Sequence, residues 1–226
     1  HGVAAMNPAR TPTATRRVPL AELTAGLLEL AAGQVEPAAG RLEVPEVDVC
    51  GTLEVSDVTL DSRAVSPGAL FLACHGRGHH GAEFTGEAVA RGARAVLYEP
   101  SPGALDLVQA GVRGSAGAGA RGGSGEVFVA AVPELSRRAG VIADRFFGLP
   151  SQALTVAGIT GTNGKTTCAW LLAQALGRCN RPAAYMGTIG FGFPGELAAS
   201  ENTTADAVSV HRRLAALRAL GAEAVS

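Results

Sequence analysis

A glycine-rich stretch in the second half of the chain constrains the fold more than any other feature of the sequence. Residues 153–160, ALTVAGIT, are a short apolar run typical of a buried strand, and residues 164–177 carry the pattern of a helix. The segment GTNGKTT, residues 161–167, spans the junction. When a strand, a glycine turn and a helix follow in this order, backbone N–H groups and the helix N-terminus point at one anion. The stretch therefore predicts a polyphosphate cradle.

The residue types in the cradle predict a nucleoside triphosphate with Mg²⁺. Lys165 can supply charge near the β- and γ-phosphates, and the Thr166 hydroxyl can ligate the metal. The glycine spacing is unusual, because Ile159 stands where the common G-x-x-x-x-G-K-[ST] pattern has its first glycine. A plain glycine turn with a solvated lysine is the alternative, and the coincidence of strand, glycines and Lys-Thr argues against it. The expected nucleotide contacts are Gly161, Thr162, Asn163, Gly164, Lys165, Thr166 and Thr167.

Apolar patterns along the rest of the chain alternate between strands and helices, which predicts an α/β layer structure. Helices are predicted over 18–32, 82–93, 133–151 and 205–221, the last with Val210, Leu214 and Leu217 facing inward. Strands are predicted over 53–63, 69–74, 94–99, 126–132, 153–160, 182–188 and from 222 onward. The segment FGFPGE, residues 191–196, is predicted to be a polar loop.

Composition divides the chain into segments. Residues 1–17 are predicted to be a disordered tail, 18–132 a first domain and 133–226 an incomplete second domain. Residues 111–125 contain twelve Gly, Ala or Ser residues and are predicted to be a flexible surface insertion. Because the chain starts with His1 and stops without a terminating signal, we expect a fragment of a longer protein.

Charge and cysteine content restrict the partners and the compartment. The formal net charge is −1, so no overall field favours nucleic acid or an anionic membrane. No stretch has the length and apolarity of a membrane span or a signal peptide. Four cysteines lie scattered without a C-x-x-C pair, which fits reduced thiols in the cytoplasm. We expect a cytoplasmic monomer.

Several stretches resemble the Mur ligase family, whose members join an amino acid to a carboxylate through an acyl phosphate. GTNGKTT is similar to the family's ATP loop, and folylpolyglutamate synthetases share a similar loop. Residues 59–99, with D-S-R, P-G, an apolar strand and a glycine-rich loop, resemble the uridine-binding domain of the MurE and MurF types. MGT (186–188) and ENTTADA (201–207) resemble the MurE type. The fold class implied is α/β: a small N-terminal uridine-binding domain, then the first part of a P-loop ATPase domain with a mostly parallel sheet.

The resemblance also implies roles for individual residues. Lys165 and Thr166 would be catalytic, with ATP and Mg²⁺ as cofactors and Thr166 as the metal ligand. Substrate contacts are implied for Leu60 and Ser62 at the uridine end, for Arg77, Gly78 and His79 at the uracil, and for Asn202, Thr203 and Thr204 at the muramoyl-peptide portion. Many members have Asp-Gly where this chain has His80-Gly81.

Some of the same residues also suit purely structural roles. Asp61, Ser62 and Arg63 suit a capped turn with a surface ion pair, and Thr204 suits the N-cap of a helix starting at Ala205. Cys74, His75, His79 and His80 lie close together but match no closed zinc pattern, so a role in the substrate loop is favoured over a metal site.

The implied activity is ATP-dependent addition of a diamino acid, diaminopimelate or lysine, to UDP-N-acetylmuramoyl-L-alanyl-D-glutamate in peptidoglycan precursor synthesis. The fragment alone is expected to be inactive. A MurF-type ligase that adds D-Ala-D-Ala to the tripeptide precursor is the main alternative. A folate-chain ligase fits less well, because it would lack the uridine domain. The third hypothesis is a non-catalytic module that binds a nucleotide-sugar and ATP.

Overall fold

The computed structural model describes residues 16–28, 52–76, 78–116, 127–199 and 205–226. Within these ranges the chain forms two units, residues 16–146 and residues 147–226, each with its own sheet and core. The division falls after Phe146, later than the boundary at Val132 that composition predicts. The reason is the helix over residues 135–146, which packs against elements of the first unit.

The first unit contains ten regular elements among the described residues. They are β1 (Val18–Pro19), α1 (Leu20–Thr24), β2 (Glu54–Val55), β3 (Val58–Thr59), β4 (Leu70–Ala73), α2 (Thr85–Ala90), β5 (Ala95–Tyr98), α3 (Ala104–Ala116), β6 (Phe128–Ala131) and α4 (Leu135–Phe146). Short 3₁₀ turns cover Ser62–Ala64 and Gly81–Phe84. Strands β3, β4, β5 and β6 form a fully parallel sheet in that order, and β1 pairs antiparallel with β2. All residues of β4 and β5 are buried, as continuous apolar strands of a parallel sheet should be.

Two predictions for the start of this unit were wrong. The helix expected over 18–32 begins at Leu20 and ends at Thr24, because Val18 and Pro19 pair with β2 instead. The strand expected over 53–63 is two short strands in two different sheets. Helix α4 agrees with its predicted face, and its buried residues include Leu135, Ala139, Ile142 and Phe146.

The first part of the predicted Gly/Ala/Ser insertion is a packed helix. Helix α3 runs through Ala116, and Gly111 lies against α2. A Cβ atom on Gly111 would come within 2.6 Å of the Gly86 backbone nitrogen, so only glycine permits this approach. The Ser115 hydroxyl lies 2.9 Å from the carbonyl oxygens of both Gly86 and Gly111 and shares its one proton between them. The remainder of the predicted insertion, from residue 117, lies outside the described residues.

The second unit is a mixed five-stranded sheet with helices. Its elements are α5 (Pro150–Ala153), β7 (Thr155–Val156), α6 (Lys165–Arg178), β8 (Ala183–Gly187), β9 (Gly190–Phe193), β10 (Glu196–Ala198), α7 (Ala207–Ala219) and β11 (Ala224–Val225). The strand order is β10-β9-β8-β11-β7, with β8, β11 and β7 parallel. Strands β9 and β10 form an antiparallel hairpin where a polar loop was predicted. At Gly190 and Gly192 a Cβ would collide with backbone oxygens of β10, which explains the glycines in this hairpin.

Two further expectations for the second unit require correction. The buried strand predicted over 153–160 is β7 alone, and Val156 is 48% exposed because β7 is the outermost strand of the described sheet. Helix α7 is capped by Asp206, whose carboxylate accepts from the Ser209 backbone N–H at 2.9 Å. Thr204, the predicted cap, lies outside the described residues. No helix in the described ranges has the length and apolarity needed to cross a bilayer.

Candidate functional site

The glycine-rich segment forms an open loop between β7 and α6. Gly161 has φ of +145° and Gly164 has φ of +77°, and Gly164 is the N-cap of α6. Both values lie in the region that favours glycine, so the two glycines of GTNGKTT are explained by backbone conformation. A Cβ on Gly161 would meet only the Asn163 carbonyl oxygen, at 3.7 Å, so the loop is open to an approaching ligand.

Backbone donors line this loop. In the described part of the chain, the N–H groups of residues 161–167 donate to no backbone acceptor, and the first such bond of the helix is from Cys168 N to the Gly164 carbonyl at 2.8 Å. Unsatisfied N–H groups at a helix start, with the positive end of the helix dipole behind them, suit an anion. The residues present therefore fit a polyphosphate group.

Lys165 reaches back across the loop. Its ammonium group donates to the carbonyl oxygens of Gly161 at 2.6 Å and Thr162 at 3.1 Å. The side chain is solvent-exposed, so its charge is available to an anion in the cradle. Lys165 is also the only lysine among the 226 residues, all other basic side chains apart from histidine being arginine.

Thr166 contacts a residue that the sequence analysis did not select. Its hydroxyl lies 3.1 Å from the hydroxyl of Thr188, which directly follows β8. The contact joins the start of α6 to the carboxyl end of a parallel strand, where ligands of α/β sheets bind. The available signal was the position of Thr188 at the end of the apolar strand PAAYMGT. A hydroxyl that also faces bound phosphate is a fitting Mg²⁺ ligand, since Mg²⁺ takes few protein ligands beside phosphate and water.

In the first unit, the turn after β3 has the ordinary capped structure that the sequence left open. Asp61 accepts from the backbone N–H of Arg63 and receives two bonds from its guanidinium, at 2.9 and 2.8 Å. These hydrogen bonds, with the charge of Arg63, hold the pKa of Asp61 below its usual value. Asp61 and Arg63 thus build the turn that presents Ser62.

Ser62 is buried in this turn, and its hydroxyl is already bound. It donates to the Glu87 carboxylate on α2 at 2.6 Å, which is the main reason that the pKa of Glu87 is lowered. Because a hydroxyl has one proton, the Ser62 oxygen can only accept a bond from a ligand. Leu60, next to the turn, is half-buried.

The loop after β4 has a narrow hairpin-like shape. The Gly76 N–H donates to the His79 carbonyl at 3.0 Å, and the Gly81 N–H donates to the Cys74 carbonyl at 2.8 Å. His79 pairs through Nδ1 with a Glu83 oxygen at 3.2 Å. Because β3 and β4 are parallel neighbours, this loop and the Ser62 turn leave the sheet at the same carboxyl edge. The expected uridine contacts Leu60, Ser62, Gly78 and His79 therefore share one edge.

Four predicted site residues, Arg77, Asn202, Thr203 and Thr204, lie outside the described residues. Among those that are described, no group of three His, Cys, Asp or Glu side chains could hold a metal ion. Burial raises the pKa of the Cys74 thiol to about 12. Of the histidines that invited a metal hypothesis, His79 pairs with Glu83, and His80 caps the turn that follows.

Comparison with known proteins identifies both units. The profile described as the Mur ligase family, catalytic domain, matches residues 54–121, and that of the Mur ligase middle domain matches residues 159–225. A UDP-N-acetylmuramoyl-L-alanyl-D-glutamate–2,6-diaminopimelate ligase from Xanthomonas campestris is 42% identical over 183 residues, covering 81% of this chain and 34% of the relative. The ligase of the same name from Alkalilimnicola ehrlichii is 43% identical over 172 residues, covering 76% and 33%.

Solved structures agree on the fold. A UDP-N-acetylmuramoyl-L-alanyl-D-glutamate–2,6-diaminopimelate ligase matches with a TM-score of 0.61 at 23% identity, over 93% of this chain and 35% of that one. MurF from Acinetobacter baumannii matches with a TM-score of 0.51 at 17% identity, again over 93% and 35%. The chain spans about a third of the length of the relatives that it matches. Two profiles of one family match its two units in order, over more than half of its length, and the chain belongs to the Mur ligase family.

Proposed function

We propose that the protein to which this chain belongs is an ATP-dependent ligase of the MurE type. It would add a diamino acid to UDP-N-acetylmuramoyl-L-alanyl-D-glutamate during peptidoglycan precursor synthesis. The observation that carries this proposal is the identity of 42% over 183 residues to a diaminopimelate ligase of that substrate. An alignment of that length must include residues from both units, and hence both candidate sites.

In the second unit, the cradle would bind the ATP phosphates. Bound ATP would transfer its γ-phosphoryl group to the substrate carboxylate, a poor electrophile, which gives an acyl phosphate and ADP. The amine of the diamino acid would then attack the acyl carbon, and phosphate would leave as the amide forms. The ammonium of Lys165, which donates to the Gly161 and Thr162 carbonyls here, would contact phosphate oxygens and neutralise part of their charge. The N–H groups of residues 161–167 would bind the phosphate oxygens, so positioning and electrostatics would provide most of the rate. Thr166 would be the protein ligand for Mg²⁺, with Thr188 orienting its hydroxyl.

In the first unit, the carboxyl edge of the parallel sheet would bind the uridine end of the donor. Ser62 would accept a bond from a donor group of the nucleoside, because Glu87 takes its only proton. The loop with Gly78 and His79 would cover the uracil ring, together with Arg77. Asn202, Thr203 and Thr204 would contact the muramoyl-peptide portion, as the family resemblance implies. The free thiols of Cys74, Cys168 and Cys179 support a cytoplasmic, reducing location.

Calorimetric titration of the 226-residue chain tests this proposal. We expect UDP-N-acetylmuramoyl-L-alanyl-D-glutamate to bind more tightly than its tripeptide counterpart and more tightly than UDP. Ser62→Ala and Asn202→Ala should each weaken binding. Ser66→Ala is the matched control, because Ser66 lies before β4, at the opposite edge of the sheet. Tighter binding of the tripeptide compound would indicate the MurF type. If no UDP compound binds, both the MurE-type and the MurF-type hypotheses are contradicted.

A further inference from the structure

The contact between Ser62 and Glu87 joins the turn after β3 to helix α2. The Ser62 hydroxyl donates to Glu87 Oε2 at 2.6 Å, a distance typical of a hydrogen bond to an ionised carboxylate. The other oxygen, Oε1, accepts from the guanidinium of Arg91, one helical turn later, at 3.2 and 3.3 Å. The bond from Ser62 is the main cause of the lowered pKa of Glu87, and the hydrogen bonds and charge of Arg91 lower it further. Glu87 is therefore a carboxylate at neutral pH, and each of its oxygens has its own partner.

This contact leaves the Ser62 hydroxyl able only to accept a further hydrogen bond. A serine hydroxyl ordinarily donates or accepts, according to its partner. A carboxylate only accepts, so the one proton of Ser62 is directed at Glu87. Ser62 is 6% exposed, and among the described residues no N–H or O–H group donates to its side-chain oxygen. The lone pairs of that oxygen therefore remain for a donor group on a ligand.

The fixed direction of this proton has a consequence for the choice of nucleobase. A ribose hydroxyl can donate or accept, so it would bind Ser62 whichever way the serine proton points. The Watson–Crick edge of uracil presents a single N–H group, at N3, between two carbonyl groups. In cytosine the same ring nitrogen carries a lone pair, which would face the lone pairs of Ser62. A fixed acceptor therefore distinguishes uracil from cytosine, whereas a freely rotating hydroxyl would adapt to either base.

We propose that Glu87 is a positioning residue that selects uracil over cytosine, because it holds Ser62 as an acceptor for the N3–H group of the base. The proposal rests on the proposed function for the location of uridine beside Ser62. It adds a specificity-determining residue that acts through Ser62 and needs no contact with the ligand. One hydrogen bond of ordinary strength changes affinity about fivefold, and a buried group left without its partner changes it by more.

Glu87→Gln reverses the hydrogen bonding at Ser62 while it keeps the shape of the side chain. The guanidinium of Arg91 only donates, so it would hold the amide oxygen of the new side chain on its own side. The amide NH₂ group would then donate to Ser62, and the serine proton would turn toward the ligand. We expect the ratio of the affinities for UDP and CDP to fall at least about fivefold. Glu54→Gln, the same chemical change on β2 outside the parallel sheet, is the matched control and should leave the ratio unchanged.

A double variant separates the direction of the hydrogen bond from general damage to the turn. When Arg91→Met is added to Glu87→Gln, the amide is free to turn its oxygen toward Ser62. Part of the preference for UDP should then return, although two native side chains have been lost. A UDP/CDP ratio that is unchanged in Glu87→Gln, or that does not recover in the double variant, would overturn the role of Glu87.

The hydrogen bond itself can be tested without a ligand. ¹³C NMR follows the titration of the Glu87 carboxyl group in the wild type and in Ser62→Ala. Because the bond from Ser62 is the main cause of the lowered pKa of Glu87, that pKa should rise toward its ordinary value in Ser62→Ala. An unchanged pKa would contradict the contact and, with it, the role of Glu87.

Competitive calorimetry with the 226-residue chain measures the affinity ratios. UDP-N-acetylmuramoyl-L-alanyl-D-glutamate is bound first, and UDP or CDP is then used to displace it. In the wild type, UDP should compete at concentrations at least about fivefold lower than CDP. If the donor binds but UDP and CDP do not differ as competitors, the role of Glu87 is wrong and the proposed function stands. If no UDP compound binds, the proposed function fails and the base specificity fails with it.

Discussion

Replacement of Gly111 by alanine tests the packing of α3 against α2. The new Cβ would lie 2.6 Å from the Gly86 nitrogen and 2.9 Å from the Thr85 Cβ, and neither atom is the end of a flexible side chain. Overpacking against such atoms costs about 1–3 kcal/mol. Alanine also recovers up to about 1 kcal/mol of helix propensity relative to glycine. We expect a net destabilisation of the first unit by about 1–2 kcal/mol.

Gly114 provides the matched control on the same helix. It is exposed, and a Cβ there would meet no atom within 4 Å. Gly114→Ala should therefore stabilise the first unit by about 0.5–1 kcal/mol through propensity alone. The two substitutions are chemically identical and three residues apart. Changes of opposite sign in the free energy of unfolding would therefore arise from the local contact at Gly111.

Urea unfolding monitored by far-UV circular dichroism measures both variants. The fluorescence of Trp170, the single tryptophan, reports the second unit separately and should not change. If residues 111–125 were a flexible spacer, as composition suggests, both substitutions would be neutral. A neutral or stabilising Gly111→Ala would refute the close approach of α2 and α3.

Three further predictions concern the cradle, the turn at Ser62 and the last helix. Lys165→Met should weaken MgATP binding by at least about tenfold in calorimetry, since it removes the charge facing the phosphates; unchanged affinity would exclude the cradle as the nucleotide site. The pKa of Glu87 is lowered in the folded state, so its contribution to stability is present above about pH 4.5 and is lost as pH falls through the folded value. Acid unfolding of Glu87→Gln should therefore depend less steeply on pH, and a slope equal to wild type would contradict the bond from Ser62. Asp206→Ala should destabilise the second unit by about 1 kcal/mol in urea unfolding, because the cap on Ser209 is lost; no loss would mean that the cap is not formed in solution.

Sequence patterns predicted those strands and helices that are marked by a pattern in neighbouring residues. Strands β4 and β5 and helix α4 follow from runs of apolar residues and from helical periodicity, and their side chains are buried as expected. Although its role in binding nucleotide stays a prediction, the glycine-rich loop before α6 was predictable, because its glycines and the helix that follows give local signals. Its contact with Thr188 was not, since the two threonines are 22 residues apart and meet only through strand pairing.

The errors arose where long-range packing overrides composition. Residues 111–116 include two glycines, a serine and an alanine, which is typical of spacers, yet Gly111 allows α3 to approach α2 closely. The hairpin β9–β10 is rich in glycine and contains proline, as loops are, but Gly190 and Gly192 are needed because a Cβ there would collide with backbone oxygens of β10. The contact of Ser62 with a ligand stays a prediction, and the donation of its hydroxyl to Glu87, 25 residues away, could not be predicted from local patterns.

The presence of a single lysine has a practical consequence for handling this protein. Within these 226 residues, Lys165 is the one side chain whose amine can react with amine-reactive dyes, biotin esters or coupling resins. A sample labelled with such a reagent would carry the label inside the proposed phosphate cradle, and a failure to bind nucleotide would then reflect the label. Surface attachment is better directed at thiols, since Cys168 and Cys179 are exposed, but Cys168 lies in the first turn of α6. Cys179, at the far end of that helix, is the attachment point that leaves the cradle open.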